Sequence, residues 1–184
     1  MRYYIEIRLL PDGEDFTASE LLSEVWGKLH IALVESKAHV AVSFPQHSAS
    51  QLGYVMRLHG DSDALTALNV TKWIDGLLGY VNVTDERTAP ESAKYAIVSR
   101  ARFRNNAARL RRRAEKRGNL SAEELDRLFN VNNEQQPDVP AVELFSHTTQ
   151  QYLVMFVRHR IVDKPQAGEF NTYGLSATAT VPYF

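Results

Sequence analysis

Tyr3-Tyr4-Ile5-Glu6-Ile7-Arg8-Leu9, then a break at Pro11-Asp12-Gly13, then Thr17-Ala18-Ser19-Glu20-Leu21-Leu22-Ser23-Glu24-Val25-Trp26-Gly27-Lys28-Leu29 changes its apolar period from two to about 3.6 residues. The first run alternates like a half-buried strand, and Pro-Asp-Gly is turn chemistry. Thr17 and Glu20 have the spacing of a capping box. Leu21, Leu22, Val25, Trp26, Leu29, Ala32 and Leu33 recur at intervals of three and four, which predicts a helix from about Ala18 to Ser36. Val40, Val42 and Phe44 alternate in a short strand stopped by Pro45. Gly53 to His59 reads as the next strand, with Ser48 and Ser50 in the polar loop between them. Asp61 and Ser62 are caps for a helix from roughly Asp63 to Leu78, interrupted near Val70-Thr71. Tyr80 to Val83 and Tyr95 to Phe103 follow as extended segments around a polar loop, Thr84 to Ser92. Strand, helix, strand, strand, helix, strand is the ferredoxin-like plan, with two helices on one face of an antiparallel sheet and the other face open to a ligand. RNA-recognition domains share it, but their aromatic signature on the central strands is missing, so the fold leaves the ligand undecided.

The second half predicts a basic helix from about Asn105 to Arg117, stopped by Gly118-Asn119, and a short helix opened by the capping box Ser121-Ala122-Glu123-Glu124. Asn130 to Pro140 is a polar linker. Ala141 to His147 and Gln151 to His159 read as strands, Pro165 to Gly168 as a turn, and Glu169 to Phe184 as two short strands or loops. The expected class is α+β: a ferredoxin-like (RRM-like) domain over 1–95 and a smaller α+β domain over 96–184 carrying an arginine-rich helix near 105–117.

Working outward, 184 residues with 44% apolar side chains describe a globular chain rather than a disordered one. Apolar runs no longer than Tyr152 to Val157 fall far short of the roughly 20 residues of a membrane span. The N-terminus lacks a continuous hydrophobic signal region, so a cytoplasmic protein with no membrane partner is expected. With no cysteine, disulfide scaffolds, thiolate metal sites and cysteine nucleophiles are excluded.

The formal net charge of −1 hides a segregation. Residues 100–117 hold nine of the 21 basic residues against one acid, Glu115, a net of +8, while twelve basic residues face 21 acids elsewhere, a net of −9. Arg109, Arg112, Arg113 and Lys116, spaced i, i+3, i+4 and i+7, form one stripe on the helix, and Ala107, Leu110 and Ala114 lie opposite. Four cations in a column repel one another unless a polyanion lies alongside, so the stripe points to nucleic acid. Charge alone does not separate RNA from DNA.

Phosphate-binding loops, nucleophile elbows and metal-binding histidine pairs are absent, and no acid cluster is arranged for paired magnesium ions, so neither metal nor other cofactor is expected. RNA can be cut without metal, because its own 2′-hydroxyl is a nucleophile once a base removes the proton. Histidine suits that task, and six are available: His30, His39, His47, His59, His147 and His159. Position in the sequence does not choose between them.

Trp26-Gly27-Lys28-Leu29-His30-Ile31-Ala32-Leu33, Val42-Ser43-Phe44-Pro45, Val98-Ser99-Arg100, Arg109-Leu110-Arg111-Arg112-Arg113, Phe156-Val157-Arg158-His159, Tyr173-Gly174-Leu175-Ser176 and Val181-Pro182-Tyr183-Phe184 run in this order over almost the whole chain. Together they resemble the Csy-type endoribonucleases of type I-F CRISPR systems. The resemblance implies metal-independent cleavage of CRISPR precursor RNA at the 3′ base of the repeat stem-loop, through 2′-hydroxyl attack to a cyclic phosphate, with the product retained. It implies His30 as the proton-transfer residue, Tyr173 orienting its ring, and Ser146 holding the nucleotide at the cut. Arg113, with Arg109, Arg112, Lys116 and Arg117, would grip the stem, and Arg100 would read a guanine edge. Arg102 and Arg104, and Thr148 in place of a family serine, complete the implied RNA-binding set. Implied partners are the repeat hairpin, as precursor and as mature guide, and the subunits of a type I-F surveillance complex.

Some positions depart from the family pattern. Leu153, beside Tyr152, stands where an aromatic residue stacks under the terminal base pair. Arg102 replaces an adenine-reading glutamine, which points to a different repeat sequence. An A-form major groove is too narrow for side chains except near a stem end or loop, so an arginine stripe implies a short hairpin. Two other readings fit the same charges: a structured-RNA-binding module that does not cut, and a dimeric DNA-binding regulator.

Overall fold

A computed structural model of the chain describes residues 1–102, 107–118, 120–128, 138–146 and 150–184, and only the backbone of residues 107–110 and 146. Contacts group Met1–Ala101 with Val139–Phe184 into one compact unit and Arg102–Asp138 into another.

The larger unit begins with β1 (Tyr3–Leu9) and α1 (Ala18–Ser36), with the bounds their change of period predicts. Thr17 caps α1 through a complete capping box: its hydroxyl accepts from the Glu20 N–H at 3.3 Å, and its own N–H donates to Glu20 Oε2 at 2.9 Å. All seven residues of the apolar stripe are buried, Leu21, Val25, Trp26 and Leu29 completely. β2 (Ala41–Ser43), β3 (Val55–Gly60), β4 (Val81–Val83) and the two-residue β5 (Arg87–Thr88) complete the first sheet. Its antiparallel order β2-β3-β1-β4 is that of the ferredoxin-like plan, and β5 pairs with β1 from within the stretch read as a loop.

The helix expected over Asp63 to Leu78 with an interruption near Val70-Thr71 is two short helices, α2 (Ser62–Leu68) and α3 (Val70–Trp73), the second ending before Leu78. The break falls at Asn69, which adopts the left-handed conformation at φ 47°, one that asparagine tolerates better than most residues.

The second sheet contains β6 (Lys94–Ala101), β7 (Ala141–Ser146), β8 (Gln151–Val162) and β9 (Val181–Tyr183), in the order β7-β8-β6-β9. The first sheet thus lies wholly within 1–95, and the second begins at residue 94. Helix α1 packs against β7, where the Ser23 hydroxyl donates to the Glu143 carbonyl. Of the stretch 169–184, only β9 is strand.

The expectation of an open sheet face fails along β3, although Arg8 of β1 and its partner Asn82 of β4 stay exposed. β3 is buried along its whole length, so both of its faces are covered. Met56 and Leu58 join the apolar core, while Arg57 and His59 point the other way with Glu6 and Tyr4, their register partners on β1. There Arg57 donates to Glu6 Oε1 from Nε at 3.0 Å and from Nη2 at 2.6 Å, and to the Phe184 main-chain oxygen at 2.8 Å. Its guanidinium also lies 3.8 Å from the Phe184 ring centroid. Arg57 and Glu6 on this face are thus matched to each other. Removing one member of so buried an ion pair costs about 3–5 kcal/mol.

The smaller unit holds α4 (Ala107–Arg117), ended by Gly118 at φ 65°, and α5 (Ala122–Leu128). Among the described residues no helix is long and apolar enough to cross a membrane.

Candidate active site

His30 lies one turn after Trp26 on α1, beside the buried stripe, so the helix holds it firmly while leaving its ring partly exposed. Its ring stacks on Tyr173, with centroids 4.0 Å apart and planes 2° from parallel. Its Nδ1 is 2.9 Å from the carbonyl oxygen of Thr172. A carbonyl only accepts, so Nδ1 carries the proton and the neutral ring has its lone pair on Nε2. Among the described residues no group bonds to Nε2, so that nitrogen is available to take a proton from a ligand.

The loop that supplies both contacts is a tight turn. Gly174 N–H donates to the Asn171 carbonyl at 2.8 Å, and Asn171 Oδ1 accepts from the N–H groups of Tyr173 at 2.9 Å and Leu175 at 3.1 Å. The Gly174 carbonyl accepts from Val42 N–H at 2.9 Å. Only glycine fits there: φ is 71°, and a Cβ would sit 2.5 Å from Val42 Cγ2.

A second group of histidines has the opposite character. His159 stacks on His47 at 3.8 Å, and its Nε2 accepts from Phe44 N–H at 3.2 Å. His47 Nδ1 lies 2.9 Å from the Phe44 carbonyl and 3.2 Å from the Tyr183 hydroxyl. His59, fully buried, bonds Ser43 Oγ through Nε2 at 2.8 Å. Burial, then the neighbouring His47, pushes His159 down to about 3, and burial, then the Arg57 charge, does the same to His59. Both rings stay neutral near pH 7, and among the described residues neither Nδ1 has a partner.

Of the cationic candidates, Arg100 is exposed on β6 and Arg102 is exposed just beyond it. Along α4, Arg112, Arg113, Lys116 and Arg117 are exposed. Arg111 is turned inward on its own unit, donating to Glu115 at 3.0 Å and to Asp126 on α5 at 2.5 Å. The one acid of the basic window thus neutralises an arginine that lies outside the stripe. Arg104 and Thr148 lie outside the described residues, as do His147 and most of the linker; of Arg109 and Ser146 only the backbone is described, Ser146 ending β7 opposite Gln151.

The family model of the CRISPR-associated protein Cas_Csy4 matches residues 4–184. The chain belongs to the Cas_Csy4 family. A CRISPR-associated endonuclease Cas6/Csy4 of Escherichia coli (strain UTI89 / UPEC) is 38% identical over 186 residues, and one of Pseudomonas aeruginosa (strain UCBPP-PA14) is 37% identical over 188, each match covering both chains in full. At that likeness this member of the family is an endonuclease too. Two solved structures match more loosely: the CRISPR RNA processing endoribonuclease Cas6b, with a TM-score of 0.34, 11% identity, and coverage of 98% of this chain and 100% of its own. The other is Thermus thermophilus Cse3 bound to an RNA representing a pre-cleavage complex, with a TM-score of 0.37, 12% identity, and coverage of 99% and 100%. Both fits are too loose to carry an argument.

In this Cas_Csy4 chain the fold stacks His30 on Tyr173, the pair that the family resemblance implies, and what holds them is less legible in the sequence. The Thr172 carbonyl belongs to the main chain and has no signature of its own. Asn171 did have one: Asn171-Thr172-Tyr173-Gly174 puts asparagine and glycine at the first and last positions of a turn.

Proposed function

We propose that this chain is a metal-independent endoribonuclease that binds the stem-loop of a CRISPR repeat in precursor RNA and cuts at the 3′ base of the stem. The observation that carries the reading is the His30 ring, stacked on Tyr173 and bonded through Nδ1 to Thr172, with Nε2 unpartnered among the described residues. In the reaction Nε2 takes the proton of the 2′-hydroxyl at the cut. O2′ attacks the adjacent phosphorus, the bond from phosphorus to the 5′-oxygen breaks, and that oxygen takes a proton from water. The products are a 2′,3′-cyclic phosphate and a 5′-hydroxyl, and the hairpin stays bound. Tyr173 fixes the ring, and its phenol face tolerates the cation that forms on His30. Ser146 holds the nucleotide at the cut. Arg109, Arg112, Arg113, Lys116 and Arg117 grip the phosphates of the stem, and Arg100 and Arg102 reach base edges.

Labelled repeat hairpin incubated with the protein in EDTA tests this. Wild type gives a single 3′ end with a cyclic phosphate, and a 2′-deoxy substitution at the cut blocks cleavage without loss of binding. Tight binding with no cut in EDTA or in magnesium makes the chain a binding module instead. Arg113→Ala weakens binding and lowers the salt slope by about one unit; an unchanged slope and affinity removes Arg113 from the RNA surface.

A further inference from the structure

We infer that Trp26 and Asn171 are positioning residues that select the reactive nitrogen of His30, an inference that rests on His30 being the proton-transfer group. Trp26 and His30 stand one turn apart on α1 and bond consecutive carbonyls of the same loop: Trp26 Nε1–H donates to Tyr173 at 3.0 Å, and His30 Nδ1–H to Thr172 at 2.9 Å. Trp26 is completely buried and packs against Phe44 with ring centroids 4.9 Å apart, so its N–H is a fixed point rather than a swinging donor. Asn171 and Thr172 are exposed, so side-chain burial does not hold this end of the loop. Its shape rests on hydrogen bonds, of which Asn171 Oδ1 accepts two.

The consequence is chemical. A histidine side chain in water favours the proton on Nε2, the wrong tautomer for a base acting through that atom; the carbonyl at Nδ1 reverses the preference. The reversal lasts only while Thr172 keeps its place. Trp26 sets the depth of the loop against the helix and Asn171 sets its curvature, and together they determine which nitrogen carries the lone pair.

The test pairs the 15N resonances of the His30 imidazole in free protein with single-turnover cleavage of the repeat hairpin at saturating protein. Wild type shows a protonated Nδ1 and an unprotonated Nε2. Asn171→Ala and Trp26→Phe shift Nε2 towards the protonated form and slow cleavage about tenfold at unchanged hairpin affinity. Asn171→Asp, which keeps the acceptor oxygen, restores both. Asn171 is exposed, so its variants report even where Trp26→Phe fails to fold. Unchanged tautomer and rate in Asn171→Ala, or a slower rate with the tautomer intact, overturns the inference. A wild-type rate in His30→Ala, with the tautomer shifting as described, shows instead that the proton-transfer reading beneath it is wrong.

Discussion

His30 and His159 are both stacked histidines, with ring separations of 4.0 and 3.8 Å, yet they are built for opposite tasks. His30 rests on a phenol, donates to a carbonyl, and has its second nitrogen unpartnered among the described residues. His159 rests on another imidazole and uses its Nε2 to accept from Phe44 N–H, while burial holds it neutral. Charging His30 places a cation over a neutral electron-rich ring. Charging His159 places one against a second titratable ring in a site with little water, and destroys the acceptor that Phe44 needs. Stacking therefore says nothing about reactivity; the partner ring and the fate of each nitrogen decide it.

The most direct way to break the comparison is to remove each ring in turn. His30→Ala lowers the cleavage rate by about 10²–10⁴, the usual worth of a positioned proton-transfer group, with hairpin affinity nearly intact. His159→Gln leaves the rate within about threefold, since its ring does no proton transfer. A larger loss in the second variant than in the first would exchange their roles. Tyr173 sharpens the contrast: Tyr173→Phe keeps the stacked face and stays within a few-fold of wild type, whereas Tyr173→Ala loses about 10–100-fold, read at saturating protein. Equal losses in both would mean that the hydroxyl, not the ring face, matters.

Acid separates the two regions through stability. Folding lowers the affinity of His159 and His59 for protons, from 6.5 to about 3, so the unfolded chain binds more protons between those values. Their contribution is complete above 6.5 and is lost as pH falls towards 3. At its steepest each ring contributes about 1.4 kcal/mol per pH unit. Urea midpoints measured at about pH 7 and about pH 5 should fall with acid in wild type and fall less steeply in His159→Gln. An equal slope in both would show that the His159 ring is hydrated in solution.

How legible this was varied by element. β1 and α1 were readable to the residue, because a capping box and a period are local properties of the chain. The interruption of the second helix, expected near Val70-Thr71, falls at Asn69, but its exact place was not readable, since it turns on a left-handed conformation that the neighbours' periodicity does not report. The cover over β3 was not legible because Glu6, Arg57 and His59 are polar residues far apart in the chain, and only the pairing of β1 with β3, beneath Phe184, makes them a buried cluster. The arginine stripe was visible from spacing, but not that Arg111 would spend its charge on Glu115 and Asp126.

By itself the sequence determined the strand-turn-helix opening, the segregation of positive charge into one window, and the absence of cysteine chemistry, because each is written in adjacent residues or in composition. Family resemblance singled out His30 and Tyr173. Only the tertiary structure decided which nitrogen of His30 is offered, because that depends on a main-chain carbonyl 142 residues away, brought to the helix by Trp26 and by a turn that Asn171 and Gly174 close.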